Sequence, residues 1–65
     1  MKTHYDPKTD ALYVRLADAP VDGSKEVAPG IVLDFDAAHR LVGFEVLNAT
    51  VNLAAGAVPT LTAAE

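Results

Sequence analysis

Two blocks of alternating apolar and polar residues constrain this chain more than any other feature of its sequence. The first block covers residues 1–6 and 12–16, and the second covers residues 31–36 and 41–47 with the same spacing, displaced by 30 positions. A period of two places successive side chains on opposite faces of a β-strand. Each block therefore predicts two strands, apolar on one face and polar on the other, and the fold must be organised around a sheet.

A short segment joins the two strands of each block. Residues 6–10 (DPKTD) have the composition of a turn, because Pro7 fixes its own φ and Asp6 can accept a backbone hydrogen bond from two residues on. Residues 37–40 (AAHR) stand at the equivalent place in the second block. The sequence therefore predicts two similar antiparallel hairpins.

The length of each turn sets which residues of a hairpin lie opposite one another. The first hairpin is predicted to pair Tyr5 with Leu12, and the second to pair Phe35 with Val42. The same registers give these further pairs: Thr3 with Val14, Met1 with Leu16, His4 with Tyr13, Lys2 with Arg15, Leu33 with Phe44, and Ile31 with Val46. A shift of one residue would move every apolar side chain to the wrong face, so the pattern favours this register.

The remaining segments predict how the hairpins are connected and covered. Residues 17–24 predict a loop and residues 25–28 a short additional strand. Pro29-Gly30 predicts a break in the hydrogen-bonded ladder, as a bulge or bend, because proline has no N–H to donate. After the last strand the apolar spacing becomes that of a helix, with Asn48 as its N-cap. The predicted apolar stripe of this helix is Val51, Ala54, Ala55 and Val58.

These elements predict an α+β fold: a small antiparallel β-meander of about four strands, made of two similar hairpins, with a short C-terminal helix packed on one face. Residues 1–58 are expected to form a single domain and residues 59–65 a flexible C-terminal tail. A domain of this size buries only about 60% of the surface that its unfolded chain exposes. Without cysteine it has no disulfide or thiolate metal site, so association as a homodimer is expected to stabilise it.

The charge of the chain limits the partners that it can bind. The formal net charge is −4, and the five basic residues are scattered singly along the sequence. Nucleic acids are bound by clustered lysine and arginine, so they are not expected partners. No stretch is apolar for long enough to cross a membrane and the N-terminus does not resemble a signal peptide, so a cytoplasmic location is expected. An acidic surface suits a basic protein partner.

Three segments of the chain resemble one family of proteins. They are residues 5–16 (YDPKTDALYVRL), 27–36 (VAPGIVLDFD) and 41–49 (LVGFEVLNA). Together they resemble the YuzE-like family of small bacterial proteins of unknown function, over roughly residues 2–53. The resemblance implies a free-standing α+β domain with no established catalytic residues. Some relatives are encoded beside a small toxin-like protein, which implies an antitoxin-like role as the acidic partner of a small basic protein.

The face of the sheet opposite the predicted core carries the candidate interaction residues. The alternation places four apolar side chains on that face: Tyr13, Val32, Leu41 and Leu47. A contiguous apolar patch on a small domain is typical of an interface, and tyrosine is common in such patches. The sequence therefore predicts a non-enzymatic interaction module that uses these residues.

The alternative function is a small enzyme or divalent-cation binder that uses the acidic residues around Asp34 and Asp36. Alternation places both carboxylates on one strand face, and Mg²⁺ or Ca²⁺ binds converging oxygen ligands. The ligand spacing of an EF-hand is absent, and Ser24, the single serine, lacks the flanking glycines of a hydrolase nucleophile. The sequence assigns no catalytic, cofactor-binding or metal-ligating residue.

Overall fold

The computed structural model describes residues 1–57 and shows a five-stranded antiparallel sheet with one short helix. The elements are β1 (Lys2–Asp6), β2 (Ala11–Arg15), β3 (Gly23–Ala28), β4 (Ile31–Phe35), β5 (Leu41–Val46) and α1 (Ala49–Asn52). Across the sheet the strands lie in the order β1-β2-β5-β4-β3. The predicted α+β class is confirmed, with five strands instead of about four.

The first hairpin has the predicted register. Its pairs are Lys2 with Arg15, Thr3 with Val14, His4 with Tyr13, Tyr5 with Leu12, and Asp6 with Ala11. Apolar side chains thus meet on one face of the hairpin and polar ones on the other, as the alternation of the sequence requires.

The second hairpin departs from the predicted register at its turn. Phe35 lies opposite Leu41 instead of Val42, because a β-bulge leaves Val42 as an extra residue on β5. The turn that follows Phe35 explains the bulge: the Asp36 carboxylate accepts the Arg40 N–H at 2.8 Å, and the Arg40 carbonyl accepts the Asp36 N–H at 2.9 Å. This five-residue loop is one residue longer than the predicted turn. The predicted pairs of Ile31 with Val46 and Leu33 with Phe44 are confirmed.

The strand order differs from a sequential meander of four strands. β3, β4 and β5 form a meander, but β5 then pairs with β2, and β3 lies at the far edge of the sheet. The pairs of Leu12 with Val46 and Val14 with Phe44 explain this order, because they join the apolar faces of the two hairpins directly. β2 and β4 are therefore separated by β5.

Pro29-Gly30, predicted to break the ladder as a bulge or bend, forms a tight turn between β3 and β4, next to a register shift between Glu26 and Ala28. Ala28 pairs with Ile31 across this turn, and Gly30 has a φ of 80°, as the third position of a type II turn requires. A Cβ on Gly30 would lie 2.8 Å from Nδ2 of Asn52. Glycine is therefore needed here both for the turn and for its close approach to α1.

The apolar core lies on one face of the sheet, beneath α1. Its buried members are Tyr5, Leu12, Val14, Val46 and Ala49, with Phe44 and Leu53 packed against them. We call this the helix face, and we call the opposite side of the sheet the open face. The predicted packing of the C-terminal helix on the face of Val14 and Phe44 is confirmed.

The helix itself differs from its prediction. It is a single turn, Asn48 is in the left-handed region with a φ of 50°, and the Asn48 side chain makes no capping hydrogen bond. Val51, predicted to face the core, is 80% exposed, whereas Ala49 and Leu53 make the apolar contacts. The predicted stripe is therefore wrong at Val51, and also at Ala54 and Ala55, which are exposed and lie beyond the end of α1 at Asn52.

Two predictions fall outside the part of the chain that the structure describes. They are the helical position of Val58 and the flexible tail at residues 59–65. Within residues 1–57, no helix is long and apolar enough to cross a membrane.

Candidate functional site

Two rows of side chains cross the open face from one edge of the sheet to the other. In strand order, one row is His4, Tyr13, Glu45, Val32 and Glu26, and the other is Lys2, Arg15, Gly43, Asp34 and Ser24. Directly paired residues of neighbouring strands project to the same face. The ten residues therefore lie on one face of the sheet, where Gly43 and Asp34 are buried and the other eight are half-buried or exposed. Sequence alternation alone could not group them, because the strand order was unknown.

Charge is divided between the two halves of this surface. Lys2, His4 and Arg15 lie on β1 and β2, together with one acid, Asp6, at the end of β1. Glu26, Asp34 and Glu45 lie on β3, β4 and β5. We call these the basic half and the acidic half of the open face. Within residues 1–57 the single ion pair joins Arg40 to Asp36, in the turn between β4 and β5, so the two halves of the face are not paired with each other there.

Arg15 is held in place by the loop that connects β2 to β3. Its Nε donates to the Ala17 carbonyl at 3.2 Å and its Nη2 donates to the Ala19 carbonyl at 2.5 Å. A third, longer contact of 3.5 Å joins Nη1 to the hydroxyl of Tyr13. These bonds fix the guanidinium while leaving its charge uncompensated by a carboxylate in the described residues.

Asp34 and Glu45 form a pair of carboxyl groups in the acidic half. Asp34 is 3% exposed and accepts a hydrogen bond from Oγ of Ser24 at 2.6 Å. Burial raises the pKa of Glu45, and the charge of Asp34 and a hydrogen bond to it raise that pKa further. The charge of Asp34 thus disfavours ionisation of Glu45, because two negative charges at short range repel each other.

Gly43 lies between Arg15 and Asp34 in the same row. A Cβ at this position would lie only 2.4 Å from the Val14 carbonyl oxygen of β2. Glycine is therefore required by the close approach of two backbones. The sequence pattern suggested only a flat gap in the surface at this position.

The four predicted interface residues do not all lie together. Tyr13 and Val32 are half-buried in one row, on either side of Glu45. Leu41 begins β5 at the bulge, and Leu47 follows the end of that strand, with 40% and 43% of their surfaces exposed. Leu41 and Leu47 are six residues apart along an extended strand, or about 20 Å. The structure therefore brings Tyr13 and Val32 into one row and places the two leucines at opposite ends of β5, with Leu41 paired with Phe35 instead of lying in that row.

Asp36 is, with Asp34, a candidate ligand in the predicted divalent-cation site, but its carboxylate makes hydrogen bonds within its own turn. Its carboxylate accepts the backbone N–H groups of Ala38 and Arg40 and pairs with the Arg40 guanidinium at 3.1 Å. The Arg40 backbone N–H is the main cause of the lowered pKa of Asp36. No three His, Cys, Asp or Glu side chains within residues 1–57 are gathered as metal ligands. The alternative function therefore gains no support from this geometry.

Asp10 has a structural role that the sequence analysis missed. It has a φ of 55°, its carbonyl accepts the Ala49 N–H at 2.8 Å, and its carboxylate accepts the Tyr5 and Thr50 hydroxyls, each at 2.6 Å. The Thr50 backbone N–H also points at this carboxylate. The Thr50 hydroxyl is the main cause of the lowered pKa of Asp10, with the Tyr5 hydroxyl next.

Asp10 thus caps α1 from the turn of the first hairpin, in place of the predicted cap Asn48. The only signal in the sequence was the joint presence of Tyr5 and Asp10 in the segment that carries the family resemblance. Nothing in the local spacing shows that an acid in the first turn will bind a helix 40 residues later.

Residues 2–49, well over half of the chain, match the family model described as a protein of unknown function (DUF2283). The chain belongs to this family. The DUF2283 match includes all five strands and ends at Ala49, the first residue of α1. The matched family model does not carry the YuzE-like name, so the relationship to the YuzE-like family stays a prediction. No curated protein and no solved structure matches the chain.

Proposed function

We propose that this DUF2283 protein is a non-enzymatic interaction module that works as a homodimer through the open face of its sheet. Its acidic charge suits a second, basic protein partner, in an antitoxin-like role. The observation that carries the proposal is the position of Tyr13 and Val32 in one row of the open face, on the side of the sheet away from α1.

The size of the core supports self-association. The buried apolar residues of the described chain are Tyr5, Leu12, Val14, Val42, Val46 and Ala49. Burial of an apolar side chain contributes about 1.5–3 kcal/mol, and ordering each residue costs about 1–2 kcal/mol of conformational entropy. Six such residues are few for a chain of this length, so an interface that buries a second face adds stability that the monomer lacks.

The composition of the open face supports an interface as well. Tyrosine and arginine are enriched among residues that dominate binding energies, and Tyr13 and Arg15 lie beside each other on β2. Tyr13 offers a large ring with few rotatable bonds, and the loop carbonyls already order Arg15. Little side-chain entropy is therefore lost when a partner covers them.

The proposal is tested by measuring the molar mass of the protein by light scattering over a range of concentrations. The wild type should reach the mass of two chains, and a Tyr13→Asp, Val32→Asp double variant should remain at the mass of one. Val51→Asp is the matched control, because Val51 is apolar and exposed but lies on α1. A double variant with the wild-type mass profile would remove the open face from the proposal.

The basic partner is tested separately by ionic strength. A small basic protein should co-purify with this chain from its native cell at low salt and dissociate at high salt, because salt screens interactions between exposed charges. Co-purification that is insensitive to salt would contradict recognition by charge.

A further inference from the structure

We propose that the basic partner binds as an added β-strand along the outer edge of β3, so that an extended segment of that protein continues the sheet antiparallel to β3. This inference rests on the basic partner of the proposed function and not on the homodimer. It names the edge that the partner uses and the pattern of side chains that fits this edge.

β3 is an edge strand of the sheet. In the order β1-β2-β5-β4-β3 it pairs with β4, and within residues 1–57 no strand pairs with its other side. Residues 23–27 of the strand are exposed and Ala28 is half-buried. An exposed edge of this kind is a template for pairing with another chain, and strand addition is a common mode of peptide recognition.

Hydrogen bonds at the two ends of β4 show which way this strand directs its backbone. The Leu47 N–H donates to the Gly30 carbonyl at 2.7 Å, so Gly30 directs its carbonyl at β5. The Asp22 N–H donates to the Phe35 carbonyl at 2.8 Å, so Phe35 directs its carbonyl at the side of β3. The residues of an antiparallel strand alternate between its two sides. Both hydrogen bonds therefore assign the backbone groups of Leu33 to the side of β3.

The same alternation turns the backbone groups of two β3 residues outward. Lys25 lies opposite Leu33, so its N–H and carbonyl point at β4. Its neighbours Ser24 and Glu26 consequently direct theirs away from the sheet. Each of them offers one donor and one acceptor, so an added strand can form a hydrogen-bonded pair with both.

The charges of β3 disfavour a second copy of this chain at the edge. Directly opposite residues of antiparallel strands share a face, so β3 can pair with itself in registers centred on Ser24, Lys25 or Glu26. Between the two copies, these registers place Glu26 opposite Asp22, Lys25 opposite Lys25, or Glu26 opposite Glu26. Like charges directly opposite each other are destabilising, and lysine on an edge strand commonly prevents such pairing. The edge therefore favours a different chain.

The side chains of β3 indicate the pattern that such a chain needs. Glu26 and Ser24 project to the open face, and Lys25 projects to the helix face. Opposite charges across a pair of strands are stabilising, so lysine fits opposite Glu26, glutamate opposite Lys25 and threonine opposite Ser24. Oε2 of Glu26 accepts the Gly30 N–H at 3.1 Å, which orders this carboxylate beside the edge.

A cavity at the start of β3 offers room for a further side chain of the partner. Its volume is about 340 Å³, and its lining includes Asp22, Gly23, Phe35 and His39. A Cβ on Gly23 would meet no atom within 4 Å, so the half-buried Phe35 opposite it is not covered from β3. An aromatic residue next to an edge glycine fills such a gap. We therefore expect an aromatic residue opposite Gly23, followed by a lysine beside Asp22.

The test titrates a capped synthetic peptide, Thr-Lys-Glu-Thr-Tyr-Lys, into the isotope-labelled protein and follows the backbone amide signals by NMR. In the proposed register its first lysine lies opposite Glu26 and its tyrosine opposite Gly23. We expect saturable binding with a Kd below about 1 mM. The largest shifts should occur at the amides of Ser24 and Glu26, because their N–H groups gain acceptors. Larger shifts on β1 than on β3 would contradict the inference.

Methylation of the peptide backbone tests the hydrogen bonds directly. Methyl groups on the amides of the first lysine and the second threonine remove the donors opposite Glu26 and Ser24, so binding should weaken about tenfold. Methyl groups on the amides of the glutamate and the tyrosine are the matched control, because these amides point away from β3. The control should change the affinity by less than about threefold. An equal loss in both peptides would overturn strand addition.

An exchange of charge tests the register. Glu26→Lys should weaken binding of the peptide about fivefold, and a peptide with glutamate in place of the first lysine should restore it. Asp18→Lys makes the same change of charge in a residue that lines a cavity with Lys2 of β1, at the opposite edge of the sheet. It should leave the affinity within about twofold of the wild type. Circular dichroism confirms that each variant is folded.

The outcomes separate the inference from the proposed function. Binding that responds as expected to methylation and to the exchange of charge would support strand addition at β3. No binding up to about 1 mM peptide, while a basic protein still co-purifies with the chain at low salt, would overturn docking at this edge and leave the basic partner in place. Failure of any basic protein to co-purify would overturn the basic partner itself.

Discussion

Asp10, on the helix side of the sheet, and Glu45, on the open face, have pKa values that are shifted in opposite directions. On the helix side, Asp10 accepts hydrogen bonds from Tyr5 and Thr50, and these donors lower its pKa. On the open face, Glu45 lies beside Asp34, and burial together with that neighbouring charge raises its pKa. The first carboxylate is satisfied by its own chain, whereas the second is held next to a like charge. The comparison teaches that the fold satisfies a carboxylate on one side of its sheet and leaves two carboxyl groups opposing each other on the other.

The largest expected loss of stability comes from a substitution of Gly43, where β5 lies against the backbone of β2. Gly43→Ala would put a Cβ 2.4 Å from the Val14 carbonyl oxygen, which is a backbone atom of the neighbouring strand β2. We expect a loss of about 2–4 kcal/mol in the free energy of unfolding, measured by urea denaturation. Gly23→Ala is the matched control, because a Cβ there meets no atom within 4 Å. A similar stability for the two variants would contradict the close approach of β2 and β5.

A smaller loss of stability is expected when the carboxylate of Asp10, on the helix side of the sheet, is replaced. Asp10→Asn keeps the size of the side chain and tolerates the φ of 55° but removes the charge that accepts the Tyr5 and Thr50 hydroxyls. The melting temperature near pH 7 should fall. Asp18→Asn, in an exposed loop, should leave it unchanged.

The effect of Asp10→Asn on the melting temperature should depend on pH. A lowered pKa means that the stabilisation by Asp10 is present above the ordinary carboxyl range and is lost as the pH falls through the lowered value. The difference in melting temperature between wild type and Asp10→Asn should therefore narrow on acidification. A difference that is constant from about pH 7 to about pH 3 would rule out a role for the charge.

The smallest expected change in stability is a gain, and it comes from a substitution of Glu45. Because its pKa is raised in the folded protein, ionisation of Glu45 costs stability as the pH rises through that raised value. Glu45→Gln should increase stability by less than about 1 kcal/mol above neutral pH, and the gain should vanish in acid. Thermal unfolding at low protein concentration measures this in the monomer. Destabilisation at neutral pH would show that Asp34 and Glu45 do not oppose each other.

The alternation in the sequence was sufficient to predict both hairpins, most of their registers and the face that α1 covers. A period of two leaves little freedom in these features, since a slip would expose every apolar side chain. The strand order was not predictable in this way. Nothing local to β2 or β5 indicates that Val14 pairs with Phe44, because that contact joins segments separated by a loop and two strands.

The candidate surface was predictable only in part, for the same reason. Tyr13 and Val32 were assigned to the correct face, but their position on either side of Glu45 depends on the strand order. Leu41 was placed by simple alternation, which the bulge at Val42 interrupts. The division of the face into basic and acidic halves likewise appears only once the strands are in their spatial order.

The central claim, that the open face binds a second copy, is tested most directly by a nuclear Overhauser experiment on a mixture of isotope-labelled and unlabelled chains. Within one chain β5 separates Tyr13 from Val32 by two strand spacings, about 10 Å, which is beyond the range of the effect. We expect intermolecular cross-peaks from the ring protons of Tyr13 and from the methyl groups of Val32 to side chains on the open face of the other copy. Intermolecular cross-peaks confined to other residues, at concentrations where the mass is that of a dimer, would contradict the account.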